Sequence, residues 1–109
     1  MIISVTSLKG GVGKSTISQN IAVCFAHMGY KVAIVDTDLN ASSVRWSGMR
    51  SEDAPHITVV GITEADALRK NIKQLHKDYD IIIIDGTPSL SKLVSTIMVL
   101  GDVVLIPIR

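Results

Sequence analysis

A chain of 109 residues with 47% hydrophobic and 19% charged side chains is long enough for one domain with a single core and too short for two. That balance excludes a disordered chain, and a formal net charge of +1 supplies no electrostatic footprint for nucleic acid by itself. Aromatic residues make up only 4%, so aliphatic side chains must fill the core.

Ile2 to Thr6 is a short, apolar, β-branched run of the kind that buried parallel strands show. Beyond a glycine-rich stretch, Ile17, Ile21, Cys24, Phe25 and Met28 recur at helical spacing, and Gly29 supplies a C-terminal stop. Cys24, the only cysteine, falls among apolar neighbours and reads as a buried, inert thiol; alone, it excludes an internal disulfide and a four-cysteine cluster within one chain. Lys31 opens a second strand, "KVAIVDTD", apolar until Asp36. The segment from Ala41 to about Gly48 has room for a short helix or turn, and Ser51 to His56, with Pro55, is the most loop-like stretch.

"ITVVGI" from Ile57 reads as another short strand. Thr63 with Asp66 makes a capping pair for a helix whose buried stripe is Ala65, Leu68, Ile72 and Leu75. "YDIIIIDGTP" is the clearest strand, because four isoleucines in a row leave no polar face and must be covered on both sides. Residues 90–100 read as a helix and "DVVLIPI" as one more strand. This alternation predicts an α/β fold: a mostly parallel sheet with right-handed crossovers and helices on both faces. The chain stops at Arg109 directly after a core strand, so residues 1–109 are expected to be the N-terminal portion of a single larger domain. No stretch reaches the roughly 18 apolar residues of a membrane span. "MIISVT" lacks the basic flank and cleavage site of a signal peptide, so a cytoplasmic protein is expected.

The chemistry concentrates in "SLKGGVGKST", residues 7–16. Gly10, Gly11 and Gly13, flanking Val12, let the backbone take left-handed angles and converge its N–H groups on phosphate oxygens. The first turn of the following helix adds free N–H groups and its positive dipole end. Lys14 then reaches the β- and γ-phosphates, Ser15 offers a hydroxyl to Mg²⁺, and Thr16 contacts phosphate through its backbone. The strict P-loop pattern asks for glycine at position 8, where this chain has Leu8. Asp36 and Asp38 end the second strand and Asp85 ends the isoleucine strand, where sites in parallel sheets form. Asp85, after four apolar residues, has the Walker B pattern of a carboxylate that holds Mg²⁺ directly or through water. His27, His56 and His76 offer no ligand spacing.

"KGGVGKST", "DTDLNAS" and "IIIIDGTPSL" together resemble the deviant Walker A ATPases, the ParA and MinD group of SIMIBI-type P-loop NTPases. The resemblance covers essentially all 109 residues, including the closing "GDVVLIPI", and implies an N-terminal part of a CbiA/ParA-like ATPase domain that uses ATP and Mg²⁺. It also gives Lys9 a role as the signature lysine, which crosses an ATP-bound homodimer to the partner subunit's phosphates and stabilises charge on the transferred phosphoryl group. By the same resemblance Asp38 orients the attacking water, Asp36 supports the Mg²⁺ shell, and Gly86, Thr87 and Pro88 form a switch that senses the γ-phosphate. Leu39 and Asn40 depart from the Pro-Gln often found after the second aspartate, which weakens that motif. "DTDLNASSVRW" also looks like the shorter partition ATPases of plasmids and mobile elements, in which a tryptophan follows; Trp46 fits the core of a short helix equally well.

The function this implies is a DNA-segregation switch. ATP drives a sandwich dimer that holds nonspecific DNA, and slow hydrolysis, stimulated by a centromere-binding adaptor, releases it. Arg69, Lys70, Lys73 and Lys77 lie on a predicted helix and fit either phosphate-backbone contact or a solvated face. Two alternatives use the same scaffold. A MinD-like membrane-surface ATPase needs a C-terminal amphipathic helix, and no such segment occurs in these residues. An amidoligase of the cobyrinate diamide synthase or dethiobiotin synthetase type shares the loop.

Overall fold

The computed structural model describes residues 1–6, 14–37, 42–86 and 100–105, with residues 14–16, 42 and 44 described by backbone alone. The elements are β1 (Ile2–Val5), α1 (Lys14–His27), β2 (Val32–Asp36), α2 (Ser42–Met49), β3 (Ile57–Gly61), α3 (Ala65–Asp78), β4 (Ile81–Asp85) and β5 (Val103–Leu105). The strands form one sheet in the order β3-β2-β4-β1-β5, and every pairing is parallel. All five predicted strands exist, two of them shorter than expected: β2 takes Val32–Asp36 of "KVAIVDTD" and β4 takes Ile81–Asp85 of "YDIIIIDGTP". The helix expected over 90–100 lies outside the described residues except for Leu100, which is helical, and so do residues 106–108 of the expected last strand.

Alternation along the buried strands splits the core into two layers. Ile3, Val5, Val32, Ile34, Ile81 and Ile83 face Ala22 of α1, with Ile17, Ile21, Phe25 and Trp46 packed around them. Ile2, Val35, Ile82 and Ile84 face Leu68 and Ile72 of α3. The four isoleucines of β4 thus serve both layers in turn, as a strand covered on both faces requires.

The expected stripe of α1 holds in part: Ile17, Ile21 and Phe25 pack against the core, whereas Cys24 and Met28 are exposed. Ser18 and Ala22 are the helix's buried residues, because small side chains let the helix axis approach the sheet, and Ile17, Ile21 and Phe25 flank them. Cys24 is exposed, not buried. Two residues beyond Ala22, it lies about 200° around the helix. The end of α1 behaves as predicted: Gly29 has φ +92°, its N–H donates to the Ala26 carbonyl (3.1 Å), and Tyr30 N–H donates to the Phe25 carbonyl (3.2 Å). This is a Schellman closure, completed by edge-to-face packing of Phe25 on Tyr30 with ring centroids 5.8 Å apart.

At the start of α3 the expected Thr63 cap is not made. Glu64 takes the cap position with extended backbone and no side-chain cap hydrogen bond. Asp66 consequently falls inside the first turn, where the helix dipole favours a carboxylate, and it accepts from Arg69 Nη2 at 2.7 Å.

Candidate functional site

Three strands end flush at the C-terminal edge of the sheet. Val5 is in register with Asp85, and Asp85 with Asp36, so β1, β4 and β2 terminate in one row. Thr6 and Gly86 continue that row, and Gly86 N–H donates to the Val5 carbonyl at 2.7 Å. The end of β1 and the two aspartates therefore share one edge, the place where parallel α/β sheets form their sites.

The pleat decides which way those aspartates face. Asp36 follows Val32 and Ile34 at two-residue spacing, and Asp85 follows Ile81 and Ile83; all four partners lie in the α1 layer. Both carboxylates accordingly project on the side of α1 and α2, and both residues are fully buried. Two carboxylates side by side away from water need donors or a cation. The start of α2 supplies donors: Ser43 N–H donates to Asp36 Oδ2 (2.8 Å), and the Ser43 hydroxyl donates to Asp85 Oδ2 (3.1 Å). Gln19 Nε2, from α1, donates to Ser43 Oγ at 3.3 Å. Thr37 ties β2 to β4 just beyond the acids, its hydroxyl and its N–H both donating to the Asp85 carbonyl at 2.7 and 3.1 Å.

The donor chemistry of the pair suits a hard cation. Mg²⁺ is commonly held by one or two carboxylates together with phosphate oxygens and water, rather than by an all-protein cage.

Of the residues expected to act on phosphate, Lys14 opens α1, so a helix does begin directly after the glycines; Ser15 and Thr16 continue its first turn. Lys9, Gly10, Gly11, Val12, Gly13 and Asp38 lie outside the described residues, as do Thr87 and Pro88. Gly86 is described, and a side chain there would be tightly fitted: an added Cβ would lie 3.0 Å from the Val5 carbonyl oxygen and 3.1 Å from Thr6 Cβ and Oγ1. Thr6 Oγ1, buried beside it, has no hydrogen-bond partner among the described residues. Trp46 packs against the α1-side core beneath the Arg50 guanidinium, 4.8 Å from its ring centroid, so it fulfils the structural role weighed for it. Arg69, Lys70, Lys73 and Lys77 are exposed on α3. Sequence reasoning missed Gln19, Thr37 and Ser43. The only available signal was a pair of serines opening a short helix soon after an acidic strand end.

A family model described as the CobQ/CobB/MinD/ParA nucleotide binding domain matches residues 3–105. The protein ParA of Rhizobium radiobacter is 34% identical over 108 residues, covering 99% of this chain and 48% of that relative. The chain spans about half the length of the curated relatives it matches. Among solved structures, cobyrinic acid a,c-diamide synthase from Mycobacterium smegmatis, with bound ADP and magnesium, superposes with a TM-score of 0.81 at 22% identity, covering 98% of this chain and 58% of that one. A plasmid partition protein from Borrelia burgdorferi superposes with a TM-score of 0.80 at 24% identity, covering 98% and 65%. Both likenesses establish the fold.

Proposed function

The chain belongs to the CobQ/CobB/MinD/ParA nucleotide-binding domain family, and from that premise we propose that it is the phosphate-binding part of a partition-type ATPase. In this reading it binds Mg-ATP, dimerises around it and hydrolyses it slowly as a switch in DNA segregation. The observation that carries the reading is the shared edge: the helix opened by Lys14, and Asp36 and Asp85 buried in register on the side of that helix. The resemblance to ParA at 34% identity favours the partition branch over the ligases.

Each residue's task follows from its place. The free N–H groups at the start of α1 and the backbone of Gly10 to Gly13 hold phosphate oxygens, and Lys14 adds a positive charge to the terminal phosphates. Lys9 brings a second charge across the homodimer. Ser15, Asp36 and Asp85 would hold Mg²⁺, which when bound neutralises charge on the phosphate oxygens. Asp38 orients the attacking water, and Gly86, pressed against Val5 and Thr6, transmits the state of the site to the segment that follows. A centromere-binding adaptor and nonspecific DNA are the proposed partners, with the cytoplasm as the location.

The test is Mg-ATP binding and hydrolysis by wild type, Lys14→Ala and Lys9→Ala, with mass followed by light scattering. Lys14→Ala is expected to abolish binding. Lys9→Ala is expected to keep binding while losing hydrolysis and the ATP-dependent dimer. A wild-type protein that neither binds nucleotide nor dimerises refutes the reading, and glutamine-dependent amide formation would replace it with the ligase alternative.

A further inference from the structure

Ser43 makes a bond to each of the two buried carboxylates from a single residue. Its N–H belongs to the first turn of α2, where no intrahelical acceptor exists, and Asp36 Oδ2 takes that place at 2.8 Å. The positive end of the α2 dipole favours the carboxylate there. Its hydroxyl has one proton. Gln19 Nε2, which can only donate, occupies the oxygen from the α1 side at 3.3 Å, so the proton is directed to Asp85 Oδ2 at 3.1 Å. The result is a directed chain, Gln19 to Ser43 to Asp85, with a branch to Asp36, that joins the helix following the glycine loop to the ends of two strands. Ser43 is fully buried, so water does not compete for these bonds.

We propose that Ser43 is a positioning residue of this site: it helps set the separation and orientation of Asp36 and Asp85, and through Gln19 it couples that geometry to α1. The proposal rests on the Mg-nucleotide reading for its consequence, because two carboxylates can share a small octahedral cation only when their oxygens are held at fixed places. Ser43 itself need not touch the cation or the nucleotide.

Two readouts test this on the full chain. The first needs no nucleotide: side-chain carboxyl ¹³C resonances of Asp36 and Asp85 are compared in wild type, Ser43→Ala, Ser43→Thr and Gln19→Ala. Loss of the hydroxyl is expected to move the Asp85 resonance. Ser43→Thr should restore it, and Gln19→Ala, at a part-exposed position less prone to misfolding, should move it partway. The second readout is the Mg²⁺ concentration for half-maximal Mg-nucleotide binding, measured beside nucleotide binding in excess chelator. Ser43→Ala is expected to raise the first roughly tenfold, the usual effect of losing a group that orients a metal ligand, and to leave the second within twofold. A residue that only supports the fold would lower the melting temperature and change neither the Asp85 resonance nor the Mg²⁺ requirement; that result overturns the proposal. If wild type binds no Mg-nucleotide, the functional reading fails, and the carboxyl resonances still decide whether Ser43 orders the pair.

Discussion

Gly86→Ala tests how closely the ends of β1 and β4 are set. The added methyl would meet the Val5 carbonyl oxygen at 3.0 Å and Thr6 Cβ and Oγ1 at 3.1 Å. None of these is the far end of a flexible side chain. The Val5 oxygen is also fixed by the 2.7 Å hydrogen bond from Gly86 itself, so relief requires the two strand ends to part. Gly86 has no left-handed φ, so alanine incurs no backbone strain there and the effect is one of space. Overpacking by one methyl costs about 1–3 kcal/mol, and the lower entropy of the unfolded alanine chain offsets about 0.4–1 kcal/mol of it. A net loss of about 1–2 kcal/mol lowers the melting temperature of a domain this size by roughly 4–12 °C. The assay is thermal unfolding followed by circular dichroism, with Gly48→Ala as an internal contrast. Gly48 lies in α2, exposed, with nothing within 4 Å of its hypothetical Cβ and no positive φ, so the same change there is expected to stabilise by about 0.5 kcal/mol. If Gly86→Ala melts at or above wild type, the close approach of β1 to β4 at the site edge is refuted.

Gly29→Ala isolates the opposite cause. Its Cβ would meet nothing within 4 Å, but φ is +92°, so the expected loss is about 1 kcal/mol from backbone strain, read as a lower denaturant midpoint with unchanged slope. Leu68→Ala removes a fully buried side chain from the α3 layer and should cost about 2–5 kcal/mol by urea unfolding; a loss under about 1 kcal/mol would mean α3 does not seal that face.

The strands were legible because a parallel strand covered on both faces must be apolar throughout, and Ile81–Ile84 admits no other reading. The ends of the strands were legible too, since Asp36 and Asp85 break those runs. The order of the strands was not: β1 enters between β4 and β5, and nothing local in "IISV" names its neighbours. The stripe of α1 was legible in part: Ile17, Ile21 and Phe25 pack against the core, but Cys24 and Met28 are exposed. Large aliphatic residues mark a buried face only approximately, whereas Ser18 and Ala22, the residues at the contact, carry no hydrophobic signal strong enough to be noticed. Ser43 escaped for a related reason: its importance lies in reaching Asp36 seven residues back and Asp85 on a different strand, a relation created by register alone.

The opposite edge of the sheet carries a second set of aspartates. Asp80 Oδ2 accepts from Lys31 N–H at 2.9 Å as β2 begins, and Asp102 Oδ2 accepts from Ile2 N–H at 2.7 Å as β1 begins. The strands between are nearly uniform in hydrophobicity, so a slip of β4 by one residue would bury almost the same apolar surface. It would also turn Asp85 toward α3 and away from Asp36. Packing alone discriminates poorly against that misalignment. The aspartates at the strand starts do discriminate, because a slipped strand leaves their acceptors and the facing amides mismatched. They act as pegs that index one edge of the sheet, so that the acids at the other edge arrive on the same face.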